Sequence, residues 1–219
     1  MTRKLVIAID GPAGAGKSTV AKALARELGL SYLDTGAMYR AVALMAQRAG
    51  LGPGDGEEAA RLGQKIRIDF DGQKVLLDGE DVSKEIRTLD IGELASALSA
   101  FSSVRTLLVA RQKALVAEGG YTLEGRDVTT VVAPDANVKV YLTASLEERA
   151  KRRYMELEER GVPDEYAKVR KEMQVRDNRD ITREDSPLAV APGAVVIETA
   201  GLTPDEVVEK IKALIPGRA

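Results

Sequence analysis

Residues Gly11 to Ser18 read GPAGAGKS and satisfy every required position of the pattern G-x-x-x-x-G-K-[ST]. The glycines let successive backbone N–H groups turn inward onto phosphate oxygens. A helix opening behind them would add its partial positive charge. Lys17 would reach the β- and γ-phosphates, and the Ser18 hydroxyl would ligate Mg²⁺. The expected cradle comprises Gly11, Pro12, Ala13, Gly14, Ala15, Gly16, Lys17, Ser18 and Thr19. The competing reading is an ordinary Gly-rich turn. An apolar run before the motif and a helical pattern after it favour the cradle. Such a loop specifies a nucleoside triphosphate and leaves the reaction open.

A second set of residues needs an anion. Arg176, Arg179, Asp180 and Arg183 fall at i, i+3, i+4 and i+7, so a helix would place them on one face. Arg149, Arg152 and Arg153 share a face in the same way one helix earlier. The bland alternative is a solvated face, with Glu172 pairing Arg176 and Arg176 pairing Asp180 for about 0.3–0.5 kcal/mol each. In a chain that also carries a phosphate cradle, guanidiniums over a moving phosphoryl group are the better reading.

Composition narrows the chemistry further. The 219-residue chain has no Cys, no His and no Trp. That excludes disulfides, a thiolate nucleophile, Cys-ligated zinc and a Ser-His-Asp triad. What remains is carboxylates, Lys, Arg, hydroxyls, backbone amides and a borrowed metal ion. With 32 basic and 34 acidic residues the net charge is −2, which argues against a globally basic nucleic-acid surface. The N-terminal apolar run, Leu5 to Ile9, is too short for a signal peptide. No apolar run is of membrane-spanning length. A cytoplasmic protein without membrane or nucleic-acid partners is expected. A GTPase would need Asn-Lys-x-Asp, but Asn137 is followed by Val138 and Lys139. A motor ATPase would end a strand in Asp-Glu, where this chain reads Leu123-Glu124-Gly125-Arg126-Asp127.

The elements that must position these groups read as alternating strands and helices. Lys4–Ile9 is a buried-strand run. A helix follows with Val20, Leu24 and Leu28 on one face, ended by Gly29. Tyr32-Leu33 reads as a short strand, then Ala37–Gly50 as a helix with Met38, Val42 and Met45 inward. Leu51–Gly56 is a connector. Lys65–Phe70 alternates with period two, Asp71-Gly72 signals a hairpin turn, and Gln73–Leu77 returns. This hairpin reads as an insert of roughly 35 residues. Helical patterning resumes from Leu89, and Phe101–Glu118 sets Val104, Leu108 and Leu115 on one side. Further strands are expected at Tyr121–Glu124, Val138–Leu142 and Ala194–Glu198, a charged helical region at Ser145–Arg183, and a last helix from Thr203-Pro204 to Ile215. The sum is an α/β protein with about five parallel core strands, ligands being expected at their carboxyl ends.

Taken together the sequence resembles the bacterial cytidylate (CMP/dCMP) kinases, a branch of the nucleoside monophosphate kinases with a P-loop. The resemblance rests on IDGPAGAGKST (Ile9–Thr19), LDTGAMYR (Leu33–Arg40), LDGEDVSKEIRT (Leu77–Thr88), EGRD (Glu124–Asp127), VVAPDANVKVYL (Val131–Leu142) and RDNRDITREDSPL (Arg176–Leu188). It runs in one register from about Lys4 to Ile215. It implies a three-layer α/β/α P-loop kinase fold in one domain, residues 1–219. The core would cover 1–62, 98–145 and 186–219, the monophosphate-binding hairpin insert 63–97, and a helical lid 146–185.

The resemblance also implies roles. Thr35, Arg40, Arg126 and Arg183 would contact the CMP phosphate. Ser96, Arg105 and Asp127 would read cytosine, and Arg176 and Asp180 would hold the ribose. Arg149, Arg152 and Arg153 would belong to a lid over ATP. Lys17, Arg126 and Arg183 would carry the catalytic charge. Glu124 stands where many relatives have Asp, as a partner of Mg²⁺ through water, and Thr129 replaces a Gly common in its stretch. The implied reaction is phosphorylation of CMP and dCMP by ATP with Mg²⁺, in a monomer. Cytosine offers an amino donor at N4 and acceptors at N3 and O2. A carboxylate such as Asp127 would accept from N4, while Arg105 and Ser96 would donate to the acceptors. The competing readings are another small-molecule kinase and a regulatory ATP-binding module. An adenylate kinase would carry Asp-Gly-Phe-Pro-Arg in place of Glu-Gly-Arg-Asp, and a shikimate kinase would lack the insert.

Overall fold

The computed structural model describes residues 4–72, 74–162 and 164–217. It divides into two compact units, Met1–Leu33 with Glu118–Ala219, and Asp34–Ala117.

The first unit holds β1 (Val6–Asp10), α1 (Lys17–Leu28) and β2 (Ser31–Asp34), the last of which leads into the second unit. The second unit runs through α2 (Thr35–Arg48), α3 (Gly56–Lys65), β3 (Ile68–Asp71), β4 (Lys74–Leu77), β5 (Glu80–Asp81), α4 (Leu89–Leu98) and α5 (Ser102–Val116). The chain returns to the first unit with β6 (Tyr121–Gly125), β7 (Val138–Thr143), α6 (Leu146–Glu159), α7 (Tyr166–Thr182), β8 (Val195–Glu198) and α8 (Pro204–Lys212). The five-stranded sheet has the order β2-β6-β1-β7-β8 and is parallel, as expected. All five residues of β1 are buried, which is why that stretch reads as a continuous apolar run.

One face of the sheet is sealed by α1 and α8. Val20, Ala21 and Leu24 of α1 and Val207, Val208 and Ile211 of α8 pack with Ile7, Ile9, Val138, Val140 and Leu142. Helix α1 stops at Gly29, which takes the left-handed conformation at φ +64°. Helix α8 starts with the Thr203–Glu206 capping box and Pro204 in its first turn. It ends at Lys212, one turn earlier than its apolar pattern suggests.

The expected hairpin exists but is incomplete as a description. Strands β3 and β4 pair antiparallel, and β5 adds a third strand through Leu76–Asp81 and Leu77–Glu80. Two acidic residues carry no apolar alternation, so β5 has no local signature. Gln73, expected to open β4, lies outside the described residues. The unit containing this sheet also takes in α2, α3, α4 and α5. In α2, Met38 and Val42 are buried and Met45 half-buried. In α5, Val104 and Leu108 are buried, but Leu115 is 38 % exposed, and Gln112 and Val116 take the buried positions of the last turns instead. Among the described residues no single helix is long and apolar enough to cross a membrane.

Candidate active site

In the first unit the carboxyl ends of β1, β6, β7 and β8 bring the cradle and most of the charged residues together. Gly11 leaves β1 at φ +148°, and a Cβ there would fall 2.0 Å from the Leu142 carbonyl oxygen, so only glycine fits. Gly16 caps α1, and Lys17 and Ser18 form its first turn. Lys17 is buried and its Nζ donates to the Pro12 carbonyl at 2.8 Å. Burial pushes its pKa down to about 7; the Arg126 charge adds to the depression and Glu124 opposes it. Ser18 is exposed at the mouth of the cradle, and its Oγ donates to Glu124 Oε1 at 2.5 Å. The Tyr32 hydroxyl donates to the same oxygen at 3.0 Å.

Beside the cradle, Asp10 is fully buried at the end of β1. It accepts from the backbone N–H groups of Val128 (2.9 Å) and Thr129 (2.7 Å) and from the Thr129 hydroxyl (2.5 Å). Burial pushes its pKa up to about 6, against the pull of these donors. The Thr129 side chain therefore contributes a donor to a buried carboxylate. Asp10 fixes the segment directly after Arg126 and Asp127.

The arginines of α6 and α7 separate more than their shared spacing suggests. Arg126 Nε pairs with Asp180 Oδ2 at 2.9 Å, and Arg183 Nη1 lies 3.4 Å from Asp180 Oδ1. Arg183 Nη2 is 3.9 Å from Asp127 Oδ1. Burial alone would raise the Asp180 carboxyl, but the charges of Arg126, Arg176 and Arg183 outweigh it and hold it below the usual range. The half-buried Arg176 also acts on Lys17 through its charge. Arg183 lies just past the end of α7 in extended conformation, not on the helix face, because the chain turns out of the helix there. Glu172, the residue that a solvated face would pair with Arg176, lies 3.8 Å from Lys168. Arg149, Arg152 and Arg153 have three different partners. Arg149 is buried against Asp177, Arg152 donates to Thr199 Oγ1 (3.0 Å) and Thr199 O (2.9 Å), and Arg153 pairs with Glu156 on its own helix. A cavity of about 210 Å³ lined by Ala15, Gly16, Thr19, Arg152, Thr199 and Leu202 adjoins the cradle.

The second unit carries the other expected residues. Thr35 is buried at the start of α2, and Asp34 caps that helix by accepting from the Ala37 N–H at 2.8 Å. Arg40 Nη2 pairs with Asp34 Oδ2 at 2.7 Å. Ser96 and Arg105 are both buried and linked through Ser99. Ser99 Oγ donates to the Ser96 carbonyl at 2.8 Å, and Arg105 Nη1 lies 3.4 Å from the Ser99 carbonyl. The Arg105 guanidinium also sits 5.8 Å from the centre of the Tyr39 ring.

Asp10, Asp34, Tyr39 and Asp177 lie within the quoted motifs without an expected role, and Tyr32 and Thr199 lie outside them. Asp10 had a legible signal, a charge closing a fully apolar strand. Asp177 had a weaker one, its place three residues before Asp180 in the same run. The others are revealed only by their partners.

Comparison with known proteins supports the reading of these motifs. The family model described as cytidylate kinase matches residues 7–216. The chain is 49% identical over 205 residues to a cytidylate kinase of Caldanaerobacter subterraneus subsp. tengcongensis, covering 94% of this chain and 92% of that one. It is 46% identical over 224 aligned positions to a cytidylate kinase of Mycobacterium avium, covering 100% and 98%. An uncharacterized protein from Eubacterium ventriosum shares the fold with a TM-score of 0.53 at 13% identity, over 97% of this chain and 98% of that one. A buried lysine in a glycine cradle, within reach of the charges of Arg126 and Arg176 and joined to a match over nearly the whole chain, leads to one assignment: the protein belongs to the cytidylate kinase family.

Proposed function

We propose that this protein transfers the γ-phosphoryl group of ATP to the phosphate of CMP and dCMP, giving ADP and the corresponding diphosphate. The observation that carries this reading is the grouping of the buried Lys17, the Ser18–Glu124 pair and the Arg126–Asp180–Arg183 cluster in one unit of a cytidylate kinase family member. An acceptor phosphate oxygen attacks the γ-phosphorus, and the bond from that phosphorus to the β,γ-bridging oxygen breaks. The acceptor is already ionised near neutral pH, so no side chain has to remove a proton. Rate then comes from positioning and charge neutralisation, which suits a chain without histidine.

Ser18 and Glu124 offer one hydroxyl and one carboxylate, both hard oxygen donors. Such a sparse set fits Mg²⁺, which completes its shell with phosphate oxygens and water. When bound, Mg²⁺ supplies neutralisation of the β- and γ-phosphates. Ser18 would hold it directly and Glu124 through water. Lys17 and the lid residues Arg149, Arg152 and Arg153 serve the ATP phosphates. Thr35, Arg40, Arg126 and Arg183 serve the acceptor phosphate, Arg176 and Asp180 its ribose, and Ser96, Arg105 and Asp127 its base. The enzyme acts as a cytoplasmic monomer.

A coupled assay of ADP release across CMP, dCMP, UMP, AMP and shikimate tests the proposal. Turnover should be highest with CMP and dCMP. ADP release that ignores the acceptor, or favours AMP or shikimate, would overturn it.

A further inference from the structure

Arg149 is held by the protein's own groups on more than one side, including one inside the cradle. Its guanidinium is nearly fully buried, and Nε and Nη1 both donate to groups of the protein itself. Nε donates to the Ala144 carbonyl at 2.9 Å, at the end of β7. Nη1 donates to Asp177 Oδ2 at 2.6 Å and to the Ala13 carbonyl at 3.1 Å. Ala13 is inside the cradle, so one guanidinium ties α6, α7 and the phosphate loop to the end of a core strand.

The Ala13 contact has a stereochemical consequence. A trans peptide is planar, and the N–H of the following residue points opposite to the C=O. Drawing the Ala13 oxygen toward Arg149 therefore turns the Gly14 N–H to the other side of the loop, away from α6 and α7. Gly14 is exposed, while a Cβ on it would lie 3.0 Å from the Arg149 carbonyl oxygen and 3.1 Å from the Met173 side chain. The side facing the helices is closed, and the N–H is presented on the open side.

Asp177 supports the orientation. The side chains of the pair are 7% and 12% exposed, and among the described residues the second Asp177 oxygen has no hydrogen-bond partner. A buried carboxylate with one oxygen unpaired is a poor staple between two helices, since apolar packing would serve stability as well or better. Directionality is what the ion pair adds.

We infer that Asp177 and Arg149 are positioning residues that preset the Gly14 amide to receive a phosphate of the donor nucleotide. The inference rests on the proposed donor role of the cradle. It differs in that Arg149 acts through the Ala13 carbonyl whether or not it also meets phosphate.

The test uses Asp177→Asn and Arg149→Lys in the full chain. ADP affinity is measured by titration calorimetry, and hydrogen exchange is followed in the peptide spanning residues 11–18. Both variants should weaken ADP about tenfold and raise KM for ATP similarly, with KM for CMP within about twofold. Exchange in the cradle should quicken while the core strands stay protected. The double variant should be no worse than Arg149→Lys alone, because the two act as one unit. If Asp177→Asn does not fold, Asp177→Glu takes its place, since it keeps the charge but displaces the oxygen that Arg149 Nη1 meets. Variants that bind ADP like the parent with unchanged cradle exchange would overturn the inference and leave the pair a helix staple. An ADP loss on Arg149→Lys but not on Asp177→Asn would also overturn it, leaving Arg149 as a direct ligand. Failure of the unaltered protein to release ADP with CMP would instead defeat the functional proposal itself.

Discussion

Ser18 Oγ and Glu124 Oε1 meet at 2.5 Å, joining the first turn of α1 to the end of β6. The register that pairs Ile9 with Glu124 carries this carboxylate to the cradle. The Tyr32 hydroxyl holds the same Glu124 oxygen. Replacing Glu124 with Gln should raise the Mg²⁺ concentration for half-maximal activity about tenfold, read from Mg²⁺ titrations at fixed ATP. An unaltered titration curve would remove Glu124 from the metal's surroundings.

Lys17→Ala should lower kcat about a hundredfold or more with the fold intact, as judged by circular dichroism and steady-state kinetics. Near-full activity would end the assignment of the cradle.

The buried Lys17 also makes donor binding depend on pH. Its pKa falls from 10.5 to about 7 in the unliganded protein. Bound phosphates stabilise the charged amine, so near pH 8 binding should take up about 0.5–1 proton per ATP. Calorimetry in buffers of different ionisation enthalpy measures this uptake, and Lys17→Met should abolish it. ATP affinity should fall as pH rises above about 7. The sign for stability is opposite. Between about 7 and 10.5 the unfolded chain holds the Lys17 proton more tightly than the folded one. This residue's contribution to unliganded stability therefore improves as pH rises through that window.

Asp127→Ala should weaken discrimination of CMP from UMP by about 10–100-fold in kcat/KM. Uracil presents an acceptor where cytosine presents an amino donor, and a carboxylate facing that position penalises the exchange. An unchanged ratio would exclude Asp127 from base reading.

Thr129→Val should destabilise the fold by about 1–3 kcal/mol, read from urea denaturation. The loss should be larger at pH 8 than at pH 5. Asp10 titrates near 6, and its charged form is the one that depends on the Thr129 hydroxyl. An equal loss at both pH values would mean that the hydroxyl does not serve the carboxylate.

The contrast between local and distant determinants is clearest in these same residues. The cradle, the apolar run of β1, the helix ended by Gly29 and the capping box of Thr203 were all legible in the sequence. Each depends on residues a few positions apart, and backbone sterics and hydrogen bonding act over that range. Spacing also showed that Arg149, Arg152 and Arg153 share a helix. Spacing could not say that Arg149 would meet Asp177, that Arg152 would meet Thr199, or that Arg153 would turn back to Glu156. Nor could it show Asp10 held by Thr129, or β5 completing the small sheet. Those outcomes depend on which polar group a different segment brings opposite, and a buried charge must take whichever partner the packed chain offers. The sequence alone determined the chemistry available and the elements that carry it. The tertiary structure decided which of those charges the packed chain pairs with one another and which it sets against backbone atoms of the cradle.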